Sequence, residues 1–143
     1  MVRDKLLSLP RIFELIMRNS VNSPVVTDLA HAVYDGNRLF VQYVDSVFNN
    51  KADEPELRQK LNENIQTIAV YLHEINPQWG TTEWKTLIDH QIKLMNMVIN
   101  NAKEGNYSTW AEVLPIIRRL KMDMADYLAQ GIIGYQQQNT CAN

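Results

Sequence analysis

The chain has 143 residues, 45% of them hydrophobic, and sets 14 basic against 16 acidic side chains for a net charge of −2. That length is one domain, whose folding buries about 70% of the surface of the unfolded chain, so neither a disulfide nor a metal is needed for stability. The charge balance excludes a general attraction to nucleic acid or anionic lipid; no run of about 18 apolar residues is present to span a membrane. The lone Cys141 has no intrachain partner, which predicts a reducing, cytoplasmic setting, and the lack of a spanning run predicts a soluble protein. Near the amino terminus, Arg3 and Lys5 resemble the start of a secretion signal. Ser8, Pro10, Arg11 and Glu14 interrupt any apolar stretch there, however, and the segment reads as mature protein.

The first helix is expected over Leu9 to Asn19, with Ser8 as its cap, Pro10 in its first turn, and Ile12, Phe13, Leu15 and Ile16 on one apolar side. A second opens at Ser23 and Pro24 and carries Leu29, Val33, Phe40, Val44 and Val47 at helical spacing as far as Asn49 and Asn50. Gly36 shares that face and reads as a point of close approach, at a cost of about 1 kcal/mol in helix propensity. Asp53 and Glu56 around Pro55 form a capping box for a third helix with the stripe Leu57, Leu61, Ile65, Ile68, Leu72 and Ile75.

The run from Ile75 to Trp84 ends that helix and starts the next, at Thr81 or Thr82, within a few residues. So short a junction forces the two helices to lie antiparallel. The fourth helix buries Trp84, Leu87, Ile88, Leu94, Met95 and Val98 and stops at Gly105. Thr109 and Glu112 pair as a cap for the fifth, which runs through Val113, Ile117, Leu120, Met124 and Leu128 to near Ile133. Pro115 requires either a later start or a bend. Residues 136–143 are polar and aperiodic, and are expected to be disordered. The predicted fold is all-α: an up-and-down bundle of four long helices plus a short N-terminal helix, in a single domain over residues 1–135.

Bundles often hold metals between facing helices, and His31, His73 and His90 are the natural seeds. At helical spacing His31 and His73 turn away from the apolar stripes, and only His90, at the edge of the Leu87 and Leu94 face, could point inward. Ligands must converge, so no metal site is assigned. His90 could instead meet Asn64, beside Ile68 on the third helix, and Tyr71, two turns further along the same edge. Such a buried patch is either a hydrogen-bonded register device or a ligand site.

Asp123 and Asp126 have acid–base character, but Asp126 falls opposite Met124 and Leu128 and reads as solvated. Trp79, Trp84 and Trp110 lie in or beside loops, where they either close the end of a core or stack on a ligand. The chain lacks GxxxxGK[ST], GxGxxG and GxSxG, and Cys141 has no nearby histidine, so no catalytic residue and no cofactor are assigned. On the second helix Tyr34, Val41 and Phe48 make an extra apolar stripe, and Val70 lies on the outer side of the third. The stripe is covered by the first helix, or it meets another copy or another protein.

The stretch Asn64 to Trp79, with Ile68-Ala69-Val70-Tyr71-Leu72 leading into Ile75-Asn76-Pro77, continues through Trp84, Leu87 and His90, Gly105-Asn106-Tyr107, Met124-Ala125-Asp126-Tyr127-Leu128 and Gly131-Ile132-Ile133. Over about the carboxy-terminal two-thirds it resembles an uncharacterised family of small helical-bundle proteins of Bacillus and Clostridium type, often mislabelled acetylglutamate kinase or glycosyltransferase. The resemblance implies an up-and-down bundle and singles out Asn64, His90 and Asp126. It also implies a histidine with an aromatic residue one turn later in an early helix. His31 and Tyr34 could be that pair, whereas the first helix has no histidine.

The function expected first is that of a non-enzymatic protein acting by protein–protein contact through Tyr34, Val41 and Phe48. It would work as a homo-oligomer or as a component of a larger assembly, a viral one included. The alternative is a bundle that binds a small ligand or metal around Asn64, Tyr71 and His90. Catalysis lacks both a nucleophile and a convincing base.

Overall fold

The computed structural model describes residues 2–142, with side chains over residues 11–142. Five helices follow one another: α1 (Val2–Ser20), α2 (Val25–Phe48), α3 (Glu54–Ile75), α4 (Thr81–Lys103) and α5 (Ser108–Cys141), with no strand among the described residues. The links 21–24, 49–53, 76–80 and 104–107 are too short to carry the chain across the molecule, so each helix returns along the one before it. Each packs on its neighbours in the chain, and α2 also touches α4. The result is the expected all-α bundle, with α1 the shortest of the five helices.

Several helix ends follow the residues singled out in the sequence. The Val25 amide donates to Ser23 Oγ at 3.3 Å as α2 begins. Gly105, at φ +74°, turns the chain after α4, a conformation that costs a residue without a Cβ nothing. Other ends differ. Asp53 precedes α3 but makes no side-chain cap, because its carboxylate instead accepts the Ser46 hydroxyl at 2.6 Å. Thr109 lies inside α5 rather than capping it, and donates to Asn101 Oδ1 at 3.1 Å. Helix α5 starts at Ser108 and continues through Pro115. The proline leaves the Ala111 carbonyl without its helical donor, and both residues are exposed, where water can satisfy it.

The first helix begins at Val2, not Leu9, so Ser8 and Pro10 fall within it rather than at its start. At the other end, residues 136–141 are helical and not a structureless tail. Tyr135 donates its hydroxyl to the Asn22 carbonyl at 2.9 Å and Gln136 its amide to the Ser20 carbonyl at 3.4 Å, tying this turn to the end of α1.

Three apolar clusters make the core. The largest joins Met17, Leu29, Leu72, Trp79 and Trp84 with the flank of α5; a second joins Leu94 and Val98 to Val113, Ile117 and Leu120; a third holds Tyr43, Leu61 and Ile65. Each large apolar side chain so buried stabilises the fold by about 1.5–3 kcal/mol. Ile88 belongs to the first and third clusters, and Met124 to the first and second. The clusters therefore meet beside these two residues.

Candidate functional site

At that meeting point the helices do not close on one another, leaving a cavity of about 290 Å³ that is partly open to the surface. All five helices contribute to its wall: Phe13 from α1, Gly36 and Phe40 from α2, Asn64 and Ile68 from α3, Trp84 and Ile88 from α4, Met124 and Leu128 from α5. The wall holds no charged side chain; its polar groups are Asn37, Asn64, Gln91 and the Trp84 indole.

Asn64 donates its amide to the Ala32 carbonyl at 2.9 Å, which leaves Oδ1 on the other side of the group. A Cβ added at Gly36 would come within 2.4 Å of that oxygen. Glycine is what allows Asn64 to lie against α2, so the close approach expected at Gly36 is made by a polar side chain. Asn64 Oδ1 and Trp84 Nε1 are both buried and find no hydrogen-bond partner among the described residues. One is an acceptor and the other a donor. Burying such a group unpaired costs about 1–3 kcal/mol, so the pair marks a place where the core is not optimised for stability.

The junction between α3 and α4 is built in the opposite way. Asn76 is fully buried; its side-chain amide donates to the Gly131 carbonyl at 2.7 Å, and its Oδ1 accepts the Gln78 backbone N–H at 3.0 Å. Trp79 Nε1 donates to the Tyr127 carbonyl at 3.1 Å, and the Tyr127 hydroxyl donates to the Gly80 carbonyl at 2.9 Å. Added Cβ atoms would lie 1.8 Å from the Trp79 ring at Gly131 and 2.2 Å from the Gln78 side chain at Gly134. Burial, with Glu83 nearby, raises the Tyr127 pKa above 10.0. These residues lock the junction to α5.

The three residues expected to form one buried polar patch are not brought together in one. His90 is exposed. The buried residues of α4 are Trp84, Leu94, Val98 and Ile99, and His90, six residues beyond Trp84, lies about 120° round the helix from it. Tyr71 is half-buried against the largest cluster, and only Asn64 reaches the cavity. Trp84, which sequence reasoning placed in the core without a polar role, takes the place foreseen for His90.

His31 and His73 are exposed, as their helical phase implied; His73 Nδ1 lies 3.0 Å from the Trp79 carbonyl. No group of three or more His, Cys, Asp or Glu among the described residues could hold a metal ion. Asp126 is exposed, and Asp123 pairs with Arg119 at 3.2 Å. Trp79 and Trp84 are buried, while Trp110 is exposed.

A larger opening of about 810 Å³ lies between α2 and α3. Its charges pair with one another at the surface, as in Lys51 with Asp45 and Lys60 with Glu56, and the hydrogen bond from Lys51 lowers the Asp45 pKa. Such exposed pairs contribute little; Asn64 borders this groove as well as the smaller cavity, but the rest of the groove's polar wall is made of exposed side chains.

On the outside, α1 covers α2 through Phe13 and Met17 but does not cover the extra stripe of α2. Tyr34 and Phe48 remain about half exposed, at 48% and 52%, and Val41 is half-buried. Ile12, Leu15 and Ile16 of α1 are also exposed, at 52%, 55% and 51%. No helix is long and apolar enough among the described residues to cross a membrane. No family model matches the chain, and neither a curated protein nor a solved structure matches it.

Proposed function

We propose that the protein acts by contact with other protein chains, as a homo-oligomer or a component of a larger assembly, and not by catalysis. The observation that carries this reading is the uncovered apolar surface of α1 and α2: Ile12, Leu15 and Ile16 on one helix, Tyr34 and Phe48 on the other. Scattered apolar side chains are normal on any surface, but a series at helical spacing on two helices that pack together is what an interface requires. The near-neutral charge favours a protein partner over nucleic acid. A cytoplasmic setting suits the exposed thiol of Cys141.

The test is sedimentation velocity across a wide concentration range, on the wild type and on a Tyr34→Ser, Phe48→Ser double variant. The expected result is a wild type that associates and a variant that is monomeric with the same circular dichroism. A wild type that stays monomeric at high concentration and gains no partner in a crosslinking experiment on its native host would remove the reading.

A further inference from the structure

We infer that the central cavity is a binding site for a small, uncharged and mostly apolar molecule that carries one hydroxyl or amide group. Three features of the wall set this chemistry, and none depends on the contact surface of α1 and α2.

The first is size. At about 290 Å³ the cavity is about twice the volume of an engineered apolar cavity that admits benzene. It suits a ring with a short substituent or a short aliphatic chain. The second is charge: no acidic, basic or histidine side chain lines the wall, so an ionised ligand would give up part of its hydration with nothing to pair it.

The third is the pair of unsatisfied atoms. Trp84, itself only 7% exposed, holds an indole N–H without an acceptor, and Asn64 holds an amide oxygen without a donor, both just beneath the surface of the wall. Asn64 is not free to turn away, because its amide nitrogen is engaged by the Ala32 carbonyl. Gly36 is the residue type that leaves its oxygen room. A hydroxyl or an amide both accepts and donates, and so can supply what either atom lacks where the wall side chains shift to admit it; a hydrocarbon supplies neither and a carboxylate only accepts. Asn37 and Gln91, half-buried in the same wall, add polar groups able to orient the ligand.

The experiment is a titration of the full chain, labelled with ¹⁵N, with p-cresol and hexan-1-ol as hydroxyl probes and toluene and benzoate as apolar and anionic counterparts. The indole N–H resonance of Trp84, assigned by its loss in Trp84→Phe or, where that variant does not fold, from triple-resonance and NOE spectra of the wild type, is the readout.

The expected result is a saturable, one-to-one shift of that resonance by both hydroxyl probes, with binding of toluene weaker by about ten-fold and none of benzoate at neutral pH. In Trp84→Phe the preference for p-cresol over toluene should shrink. Should that variant not fold, Ile88→Phe serves instead, since it adds bulk to the wall; it should abolish binding while melting no earlier than the wild type. The inference is overturned if neither hydroxyl probe moves the Trp84 resonance up to about 10 mM, which would leave the cavity to water. It is equally overturned if the shift persists in folded Ile88→Phe, or if toluene or benzoate binds as well as p-cresol.

Discussion

Two tryptophans five positions apart, Trp79 and Trp84, are buried in the same core and treated in opposite ways. Trp79 is 1% exposed, its N–H is bonded to the Tyr127 carbonyl, and Gly131 fits beneath it with no room for one more carbon. Trp84 has an unpaired N–H and borders a cavity. Close packing with every polar group satisfied specifies one arrangement of helices. A cavity beside an orphaned donor and acceptor gives up stability. The comparison separates the residues that hold the bundle together from those free to serve a ligand.

The sharpest way to break it is Gly131→Ala. Relief of the glycine's helix penalty would favour the variant by about 1 kcal/mol at an open site. Here the new Cβ would sit 1.8 Å from Trp79 Nε1, where the neighbour is a rigid ring and not the end of a flexible chain. A net loss of about 3 kcal/mol is expected in urea denaturation. Stabilisation would mean that the junction yields easily and that Trp79 is no better fixed than Trp84.

Replacing each tryptophan by phenylalanine compares the two regions directly. Both changes remove volume, for about 1–2 kcal/mol. Trp79→Phe also removes a made hydrogen bond, and should cost about 1 kcal/mol more. Trp84→Phe removes a donor that has no partner, which offsets part of its loss, although the stacking on Tyr127, with centroids 6.3 Å apart, is weakened. Equal losses would indicate that the Trp84 N–H is satisfied within the folded protein.

Much of the bundle could be read from periodicity. The stripe Leu61, Ile65, Ile68, Leu72 and Ile75 is buried as expected, and the stop at Gly105 has the positive φ that its residue type suggested. The junction at Asn76 to Gly80 stood out by composition alone, and α5 meets it in space: Asn76 bonds Gly131, and Trp79 bonds Tyr127.

The cavity was only half legible. Asn64 and Gly36 were each singled out, but periodicity says which side of a helix is apolar, not whether five apolar sides close without a gap. It placed His90 at an edge that α4 turns outward and gave no reason to leave Trp84 unpaired. The helical end of α5 was hidden for a related reason, since it is tied down by Tyr135 to Asn22, a contact far apart in sequence that no local pattern announces.

A smaller effect tests the cavity side. In Gly36→Ala the gain in helix propensity, about 1 kcal/mol, opposes the displacement of Asn64 Oδ1, which the new Cβ would approach to 2.4 Å. The side chain can shift more readily than the Trp79 ring, so the net change should stay within about 1 kcal/mol of zero, well below that of Gly131→Ala. A loss as large as that of Gly131→Ala would show Asn64 to be fixed as firmly as the junction, and would erase the distinction between the regions.

The smallest effect is confined to alkaline pH and concerns the residue the two tryptophans share. Tyr127 holds Trp79 with its carbonyl, stacks on Trp84 with its ring and donates its hydroxyl to the Gly80 carbonyl. Burial and the neighbouring Glu83 raise its pKa above the 10.0 of the unfolded chain. The unfolded state therefore loses this proton first. The stability that the protonated hydroxyl contributes is fully present below pH 10 and is lost as the pH rises through the folded value. Melting temperature measured from pH 8 upward should fall more steeply above pH 10 for the wild type than for Tyr127→Phe, while the variant starts lower by the loss of one hydrogen bond, about 1 kcal/mol. Parallel curves would mean that the hydroxyl ionises alike in both states, that water reaches the junction, and that the closed packing around Trp79 is looser than its geometry.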